Sequence, residues 1–251
     1  MPPSDVSYLA DFMHALVDRY GTRFAGYVIW NEPNLSFEWG GQISNAADYV
    51  DLLAAAYNGA KSANPAATVV SAGLAPTVGG EGSISDLSFL QQMYAAGLKY
   101  YSDVVGMNGL GFAYSPDDTS DPNGLNFSRL ASLRNVMVAN DDGDKKAWAL
   151  EVGWLRDTAI DLGGYNWMKV SDQQQANYLK RALERIRDEW PWLELAFVWN
   201  LDFSRTQPDS SEQYWYAIHG TPAYEKLKEL QEPTSRRVFL PVIVRGSSDG
   251  W

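Results

Sequence analysis

Apolar residues along this chain recur at two different spacings, which alternate from the N-terminus to the C-terminus. Helical spacing, with apolar side chains three and four residues apart, predicts helices at 5–20, 46–62, 85–101, 127–140, 171–190 and 222–231. Short apolar or β-branched runs predict strands at 27–30, 68–74, 103–112, 146–154 and 193–203. Ser171 and Gln174, three residues apart, are placed as a capping box for the helix at 171–190. The sequence therefore predicts five strands, each followed by helix.

The predicted strands are apolar on both faces, as is typical of a parallel sheet covered by helices. Two architectures fit this α/β pattern, a doubly wound sheet and a TIM (β/α)8 barrel. In a barrel, catalytic groups collect where the strands end, at the carboxyl face. The residues that follow the five strands are, in order, Asn31-Glu32, Ala75-Pro76, Asn108, Glu151 and Trp199-Asn200.

Two glutamates, Glu32 and Glu151, stand at the ends of buried strands. Pro33 follows Glu32, and a residue before proline is biased away from the helical region, so we expect Glu32 to be extended at the strand tip. Leu150 and Val152 flank Glu151. Apolar surroundings raise the pKa of a carboxyl group, and a neighbouring carboxylate raises it further. Two such glutamates can serve as proton donor and nucleophile, the pair that glycoside hydrolysis requires.

Aromatic residues are abundant near the same strand ends. The chain has 10 tryptophans, of which Trp30, Trp39, Trp154 and Trp199 lie close to the predicted tips. Aromatic faces of this kind suit the flat apolar side of a pyranose ring. Each ring could equally belong to the core, because a tryptophan on a buried strand is often only packed there.

Composition excludes several other classes of function. The net charge of −11 opposes binding to nucleic acid or to an anionic membrane surface. The absence of cysteine excludes disulfides, zinc–thiolate sites and thiol catalysis. We expect His14 and His219 to be structural or solvated, so neither a metal nor a cofactor is expected. No apolar run is long enough to span a membrane, and the N-terminus lacks the pattern of a signal peptide.

Three segments together resemble the clan A retaining glycoside hydrolases, most closely families 39 and 5. They are WNEPN at 30–34, ALEVGW at 149–154 and FVWN at 197–200, which match the ends of barrel strands four, seven and eight. The resemblance implies that Glu32 is the acid/base and Glu151 the nucleophile. It also implies that Asn31 contacts the sugar 2-hydroxyl and that Trp199 forms the floor of the sugar subsite.

Further candidate sugar contacts are Trp154, Trp39, Asn108 and Tyr114. Asn108 stands where the clan usually has a His or Tyr that contacts the nucleophile, and Tyr114 is a possible substitute for that residue. The sequence also departs from the clan in its number of strands, because only strands four to eight of a barrel are evident. We therefore expect a partial barrel, the C-terminal portion of a larger glycosidase.

The expected domain covers residues 1–231, followed by a tail or linker at 232–251 that includes a short apolar run. Strands four and eight would have open edges, and an uncovered edge of this kind favours pairing with a second copy of the chain. Homo-oligomerisation through these edges is therefore a hypothesis. The substrate class indicates secretion of the full-length parent.

The sequence leaves three functions open. The first is hydrolysis of β-linked oligo- or polysaccharide with retention of configuration, for which the two carboxyl groups should lie about 5 to 5.5 Å apart. The second is carbohydrate binding without cleavage, because three β/α units of the site are not evident. The third is an inert fragment.

Overall fold

A computed structural model describes residues 1–119, 124–230 and 238–239. The helices are α1 (Ser7–Tyr20), α2 (Ala46–Ala63), α3 (Asp86–Ala95), α4 (Arg129–Ala139), α5 (Asp172–Glu189), α6 (Glu212–Trp215) and α7 (Pro222–Lys228). The strands are β1 (Tyr27–Ile29), β2 (Val69–Ser71), β3 (Val105–Leu110), β4 (Ala147–Gly153), β5 (Leu193–Val198) and β6 (Val238–Phe239). Short 3-10 turns occur at Gly21–Arg23, Leu98–Tyr100, Gly163–Met168 and Phe203–Arg205. Each of the five predicted strands is confirmed.

All strand pairs are parallel, and neighbours in space follow the order of the chain. β1 pairs with β2, and β3, β4, β5 and β6 form one ladder. A bridge between Val70 and Val104 joins β2 to β3. A doubly wound sheet reverses its order at a switch point, whereas a barrel adds strands in sequence. The strand order therefore selects the barrel.

The sheet is strongly curved. Gly26 directly precedes β1, and a Cβ added there would lie 2.7 Å from the Cη2 atom of Trp148 on β4. In a flat sheet, three strand spacings would separate these strands by about 14 Å, beyond the reach of a tryptophan side chain. The contact across the concave side shows that the strands form an arc, so the chain is a partial (β/α) barrel.

The main core lies between the convex face of the arc and the helices. Outward-facing residues such as Ile29, Val69, Met107 and Ala149 pack there, together with the buried faces of α2 and α5. Helix α5 begins as its sequence predicts, with a capping box formed by Ser171 and Gln174. A smaller cluster on the concave face consists of Val70, Val104, Trp148, Leu150, Leu195 and Phe197.

The tail makes one described contact with the barrel. Val238 and Phe239 pair in parallel with Ala196 and Phe197 of β5. The strand-eight edge, predicted to be open, is therefore paired over these two residues. The other tail residues, 232–237 and 240–251, lie outside the described part of the chain, so the division at residue 231 stays a prediction. Across the described residues, no helix is long and apolar enough to cross a membrane.

Candidate active site

The ends of β1, β3 and β4 bring Glu32, Asn108 and Glu151 together. The β3–β4 register pairs Met107 with Ala149 but Asn108 with Glu151, so Leu150 is an extra residue in β4. A bulge of this kind redirects the side chains that follow it. It places Glu151 beside Asn108, whose amide reaches Glu32 in turn.

The Glu32 backbone is left-handed and not extended as predicted. Its φ is +42°, and that of Trp30 is +75°. Pro33 does disfavour the right-handed helical region, but tertiary hydrogen bonds select the left-handed alternative. The Glu32 N–H donates to the carbonyl of Gly73 at 3.0 Å, and the Asn108 Nδ2 donates to its Oε1 at 2.8 Å. Positive φ at a non-glycine residue is costly and is found mainly where the surroundings hold it, often at functional sites.

Asn34 fixes the segment that follows Glu32. This side chain is fully buried, and its amide exchanges hydrogen bonds with both the N–H and the carbonyl of Ala75, each at 2.9 Å. It also donates to the Ile84 carbonyl at 3.0 Å. The second asparagine of the WNEPN segment thus connects barrel loops through hydrogen bonds, a structural role that sequence reasoning missed.

Both carboxyl groups of the pair have raised pKa values. Burial raises the pKa of Glu32 from 4.5 to about 7, the Asn108 hydrogen bond opposes this, and the charge of Glu38 adds to it. Burial raises the pKa of Glu151 to about 8, with further contributions from the charges of Glu32 and then Glu38. Since each group makes the other harder to ionise, the two titrate as a coupled pair.

One further carboxylate and two phenols interact with the pair, and a second carboxylate, Glu212, acts on the two phenols. Glu38 lies in the turn after Glu32, and its charge acts on both members of the pair. Burial raises the pKa of Tyr165, as do the charges of Glu212 and then Glu32. Burial also raises the pKa of Tyr216, and the charge of Glu151 adds most after it. Sequence reasoning missed these four residues, although Glu38 adjoins WNEPN and Glu212 and Tyr216 follow the last barrel strand.

Asn200 organises the loop that carries Glu212 and Tyr216. Its buried side chain donates to the Gln213 carbonyl at 2.9 Å and accepts from the Phe203 N–H at 2.9 Å. Its backbone carbonyl accepts from the Ile218 N–H at 3.0 Å. Asn200, at the end of β5, therefore holds the loop that carries Glu212 and Tyr216 in place. The peptide bond between Trp199 and Asn200 is cis.

Aromatic rings are available to a ligand at this end of the barrel. Trp199 is half-buried, with its ring edge-on to Phe203 at 4.8 Å between centroids. Trp167 is 47 % exposed and stacks on the buried Phe112 with 5.5 Å between centroids and 4° between planes. Tyr165 on the same 3-10 turn is 43 % exposed. The structure thus offers a second aromatic surface that sequence reasoning did not identify.

Two tryptophans predicted to contact sugar belong to the core instead. Trp154 is 0 % exposed and packs between Phe127 and Tyr178, and its Nε1 donates to the Tyr114 carbonyl at 2.8 Å. Gly111 permits this packing, since a Cβ there would lie 1.8 Å from Trp154 Cε2. Trp39 is 4 % exposed and packs edge-on against Trp30 and Tyr49. Neither ring presents a face to solvent, so both predictions are corrected.

The other predicted contacts lie in three different environments. Asn31 is exposed beside Glu32, and the Tyr114 side chain is 47 % exposed after β3. Asn108 is only 3 % exposed and bonds to Glu32, so its predicted contact with sugar is replaced by a contact with the acid/base candidate. For Asn31, Trp199 and Tyr114, contact with a sugar stays a prediction.

The two histidines lie in different surroundings. His14 Nδ1 is 2.9 Å from the Ser62 hydroxyl, on the outer surface between α1 and α2. His219 is half-exposed, with its Nδ1 3.6 Å from an Asp202 carboxylate oxygen. Within the described residues, no three His, Cys, Asp or Glu side chains are grouped as metal ligands would be.

Comparison with known proteins bears on the fold. Neither a family model nor a curated protein matches this chain. A family 39 glycoside hydrolase from the gut symbiont Bacteroides cellulosilyticus WH2 superposes with a TM-score of 0.61 at 20% identity, over 90% of this chain and 44% of its own. A monomeric β-xylosidase from Caulobacter crescentus CB15 superposes with a TM-score of 0.57 at 18% identity, over 92% of this chain and 47% of its own. A family 128 endo-β-1,3-glucanase from Sorangium cellulosum superposes with a TM-score of 0.51 at 16% identity, over 84% of this chain and 77% of its own.

These likenesses confirm the fold that the sequence resemblance implied. The chain has a partial (β/α) barrel, a fold that it shares with solved glycoside hydrolases of families 39 and 128. It spans less than half the length of the family 39 structures it matches. Fold alone does not define an activity, which has to be argued from the site.

Proposed function

We propose that this chain carries the catalytic pair of a glycoside hydrolase that cleaves β-linked sugars with retention of configuration. The observation that carries the proposal is the pair itself, in which Glu32 and Glu151 stand at barrel strand ends with pKa values raised by burial and by neighbouring charge. A carboxyl group that is protonated near neutral pH can donate a proton to a departing oxygen. The enzymes that share the fold act on glycosidic bonds, which agrees with this chemistry.

The proposed reaction has two steps. In the first, the Glu151 carboxylate forms a bond to the anomeric carbon, while the bond to the leaving oxygen breaks and that oxygen takes the proton of Glu32. In the second, Glu32 removes a proton from water, and the resulting hydroxide displaces Glu151 from the anomeric carbon. Two inversions return the original configuration.

Hydrogen bonding distinguishes the two carboxyl groups in the free protein. Asn108 donates to Glu32 and so favours its ionised form, whereas no residue of the described chain donates to Glu151. Burial and neighbouring charge raise the pKa of both groups, so the pair keeps a proton to higher pH than ordinary carboxyl groups do. A bound sugar whose hydroxyl donates to Glu151 would stabilise that carboxylate and move the proton to Glu32. Substrate binding would thus prepare the pair for catalysis, and a substrate without the 2-hydroxyl should react far more slowly.

The proposed substrate surface is aromatic. Trp199 would support the sugar at the cleaved bond, with Asn31 at its 2-hydroxyl. Trp167, which is 47 % exposed and stacks on Phe112, would support a further sugar unit. An oligosaccharide that reaches both rings should bind more tightly than a single glycoside.

The experiment is hydrolysis of aryl β-xyloside, glucoside, galactoside, mannoside and cellobioside by the wild-type chain and by Glu151→Ala. Glu189→Ala is the matched control, because Glu189 is an exposed carboxylate on the outer helix α5. We expect activity in the wild type and the control, and its loss in Glu151→Ala. Proton NMR of the first product anomer reports retention directly.

A folded wild-type chain that hydrolyses none of these substrates would contradict the proposal. Titration of tryptophan fluorescence with xylo- and gluco-oligosaccharides would then test the alternative of binding without cleavage. A crystal structure offers an independent check, because a separation of 7 Å or more between the two carboxyl groups argues against retention.

We also propose that two copies of the chain associate through the β1 edge. Within the described part of the chain, no strand pairs with the outer side of β1, where Val28 is 43 % and Phe24 49 % exposed. An unpaired apolar edge favours strand pairing with another copy. Sedimentation should show a dimer that Val28→Lys dissociates, whereas a wild-type monomer at high concentration would contradict this proposal.

A further inference from the structure

Asn108 lies between the two glutamates of the candidate pair and connects to both. Its Nδ2 donates to the Glu32 Oε1 at 2.8 Å, and its backbone is the register partner of Glu151 across the β3–β4 ladder. The register shift next to Asn108 sets this alignment. A substitution at Asn108 therefore removes a hydrogen bond from the Glu32 carboxyl group.

The Asn108 side chain is locked in place and closed to a ligand. It is 3 % exposed, and a Cβ added to Gly73 would lie 2.1 Å from its Oδ1. That Oδ1 is buried and has no hydrogen-bond partner among the residues the structure describes. A buried amide oxygen without a partner is unfavourable and calls for a compensating role. Here the compensation is the hydrogen bond from the other end of the same amide to a carboxylate.

The surroundings of Glu32 make this hydrogen bond important. The ionisable groups that face it are Glu38, Glu151, Tyr165 and Tyr216, and each of them is acidic. None of these groups is a cation that would favour a charged Glu32. Among the residues that the structure describes, Asn108 donates a side-chain hydrogen bond to the Glu32 carboxyl group.

We propose that Asn108 is a positioning residue for Glu32, holding the carboxyl group in its catalytic orientation and favouring its charged form without contacting the sugar. This inference deepens the proposed function and rests on it for the catalytic meaning of Glu32. The hydrogen bond itself is a property of the folded protein. It can be tested whether or not the chain hydrolyses a substrate.

The test compares the Glu32 pKa in the wild type with that in Asn108→Leu and Asn108→Asp, two changes of nearly equal size. Leucine removes the donor, while aspartate removes it and adds a negative charge. We expect the pKa to rise in the order wild type, Leu, Asp, with a first step of about one unit. Carbon-13 NMR of labelled glutamate carboxyl groups measures it, and Glu32→Gln assigns the signal.

Gly73→Ala provides a second route to the same result. The new methyl group would collide with the Asn108 Oδ1 and displace the amide, while the Gly73 carbonyl that accepts from Glu32 remains. We expect a rise in the Glu32 pKa in this variant also. Asn177→Asp, an equal charge change at an exposed site on α5, should leave the pKa unmoved.

An unchanged Glu32 pKa in folded Asn108→Asp and Gly73→Ala overturns the inference, even if Asn108→Leu fails to fold. If the wild type hydrolyses a glycoside, kcat/KM should begin to fall at a higher pH in Asn108→Asp and Gly73→Ala than in the wild type. The KM of both variants should stay within about twofold of the wild-type value. A raised KM with an unmoved pH profile identifies Asn108 as a sugar contact and also overturns it. If the wild type hydrolyses nothing but the pKa order holds, the positioning role stands and only the proposed function fails.

Discussion

The raised pKa of Glu151 predicts that the carboxyl group destabilises the fold at alkaline pH. The folded pKa is about 8 against an ordinary 4.5, a difference of about 3.5 units. At about 1.4 kcal/mol per unit, ionising Glu151 in the folded protein costs at most on the order of 5 kcal/mol. Part of this cost comes from the charge of Glu32 and is shared with it, so replacing Glu151 alone should recover on the order of 2–4 kcal/mol.

The sign follows from the direction of the shift. Below about pH 4 the carboxyl group is protonated in both states and has no effect on stability. As the pH rises from about 4.5 to about 8, the unfolded chain loses this proton while the folded chain keeps it, so the free energy of unfolding falls. Glu151→Gln removes the titrating group with little change of shape. It should match the wild type at about pH 4.5 and exceed its stability at about pH 8.5.

Urea unfolding followed by tryptophan fluorescence measures this difference at several pH values. Glu189→Gln is the control, since hydrogen bonds from Arg181 and Arg185 hold the pKa of Glu189 below its usual range. That variant should gain no stability at alkaline pH. If wild-type stability were constant from about pH 5 to 8, or if Glu151→Gln were the less stable protein at about pH 8.5, the account of a buried, charge-coupled pair would be refuted.

Three further predictions test the site and its supports. Trp154→Ala should lower the free energy of unfolding by about 3–5 kcal/mol, because the ring is fully buried; an unchanged stability with lost activity would indicate a sugar contact instead. Arg129 Nε lies 2.9 and 2.8 Å from the two carboxylate oxygens of the buried Asp86. Arg129→Met leaves that carboxylate buried without this partner, so the free energy of unfolding in urea should fall by about 3–5 kcal/mol. The double variant with Asp86→Leu should recover much of this loss. Trp167→Ala should raise KM for oligosaccharides several-fold with little change in melting temperature, and an equal KM for short and long substrates would count against a second sugar subsite.

Much of the fold and part of the site could be predicted from local sequence. Alternation of apolar spacing located the five barrel strands, because burial on one or both faces of an element imposes a period on its residues. Glu32 and Glu151 stood out because a charged residue at the end of an apolar run is unusual. The capping box at Ser171 was likewise predicted, since its partners are three residues apart.

Errors arose where remote parts of the chain act on one residue. Pro33 restricts Glu32, but Gly73, which follows β2, and Asn108 of β3 selected its left-handed conformation. Trp154 looked like a site residue from its place beside Glu151, yet Phe127 and Tyr178 of α5 pack against it and it is fully buried.

The sequence by itself determined where the strands and helices lie and which two carboxylates end buried strands, because these features depend on residues a few positions apart. Tertiary structure alone decided the register that puts Glu151 opposite Asn108, the approach of Glu38 to the pair, and the choice between buried and exposed tryptophans. Desolvation and charge interactions depend on distance in space. The register of β3 and β4 brings Asn108 and Glu151 together, and the curvature of the barrel brings Glu32 to them.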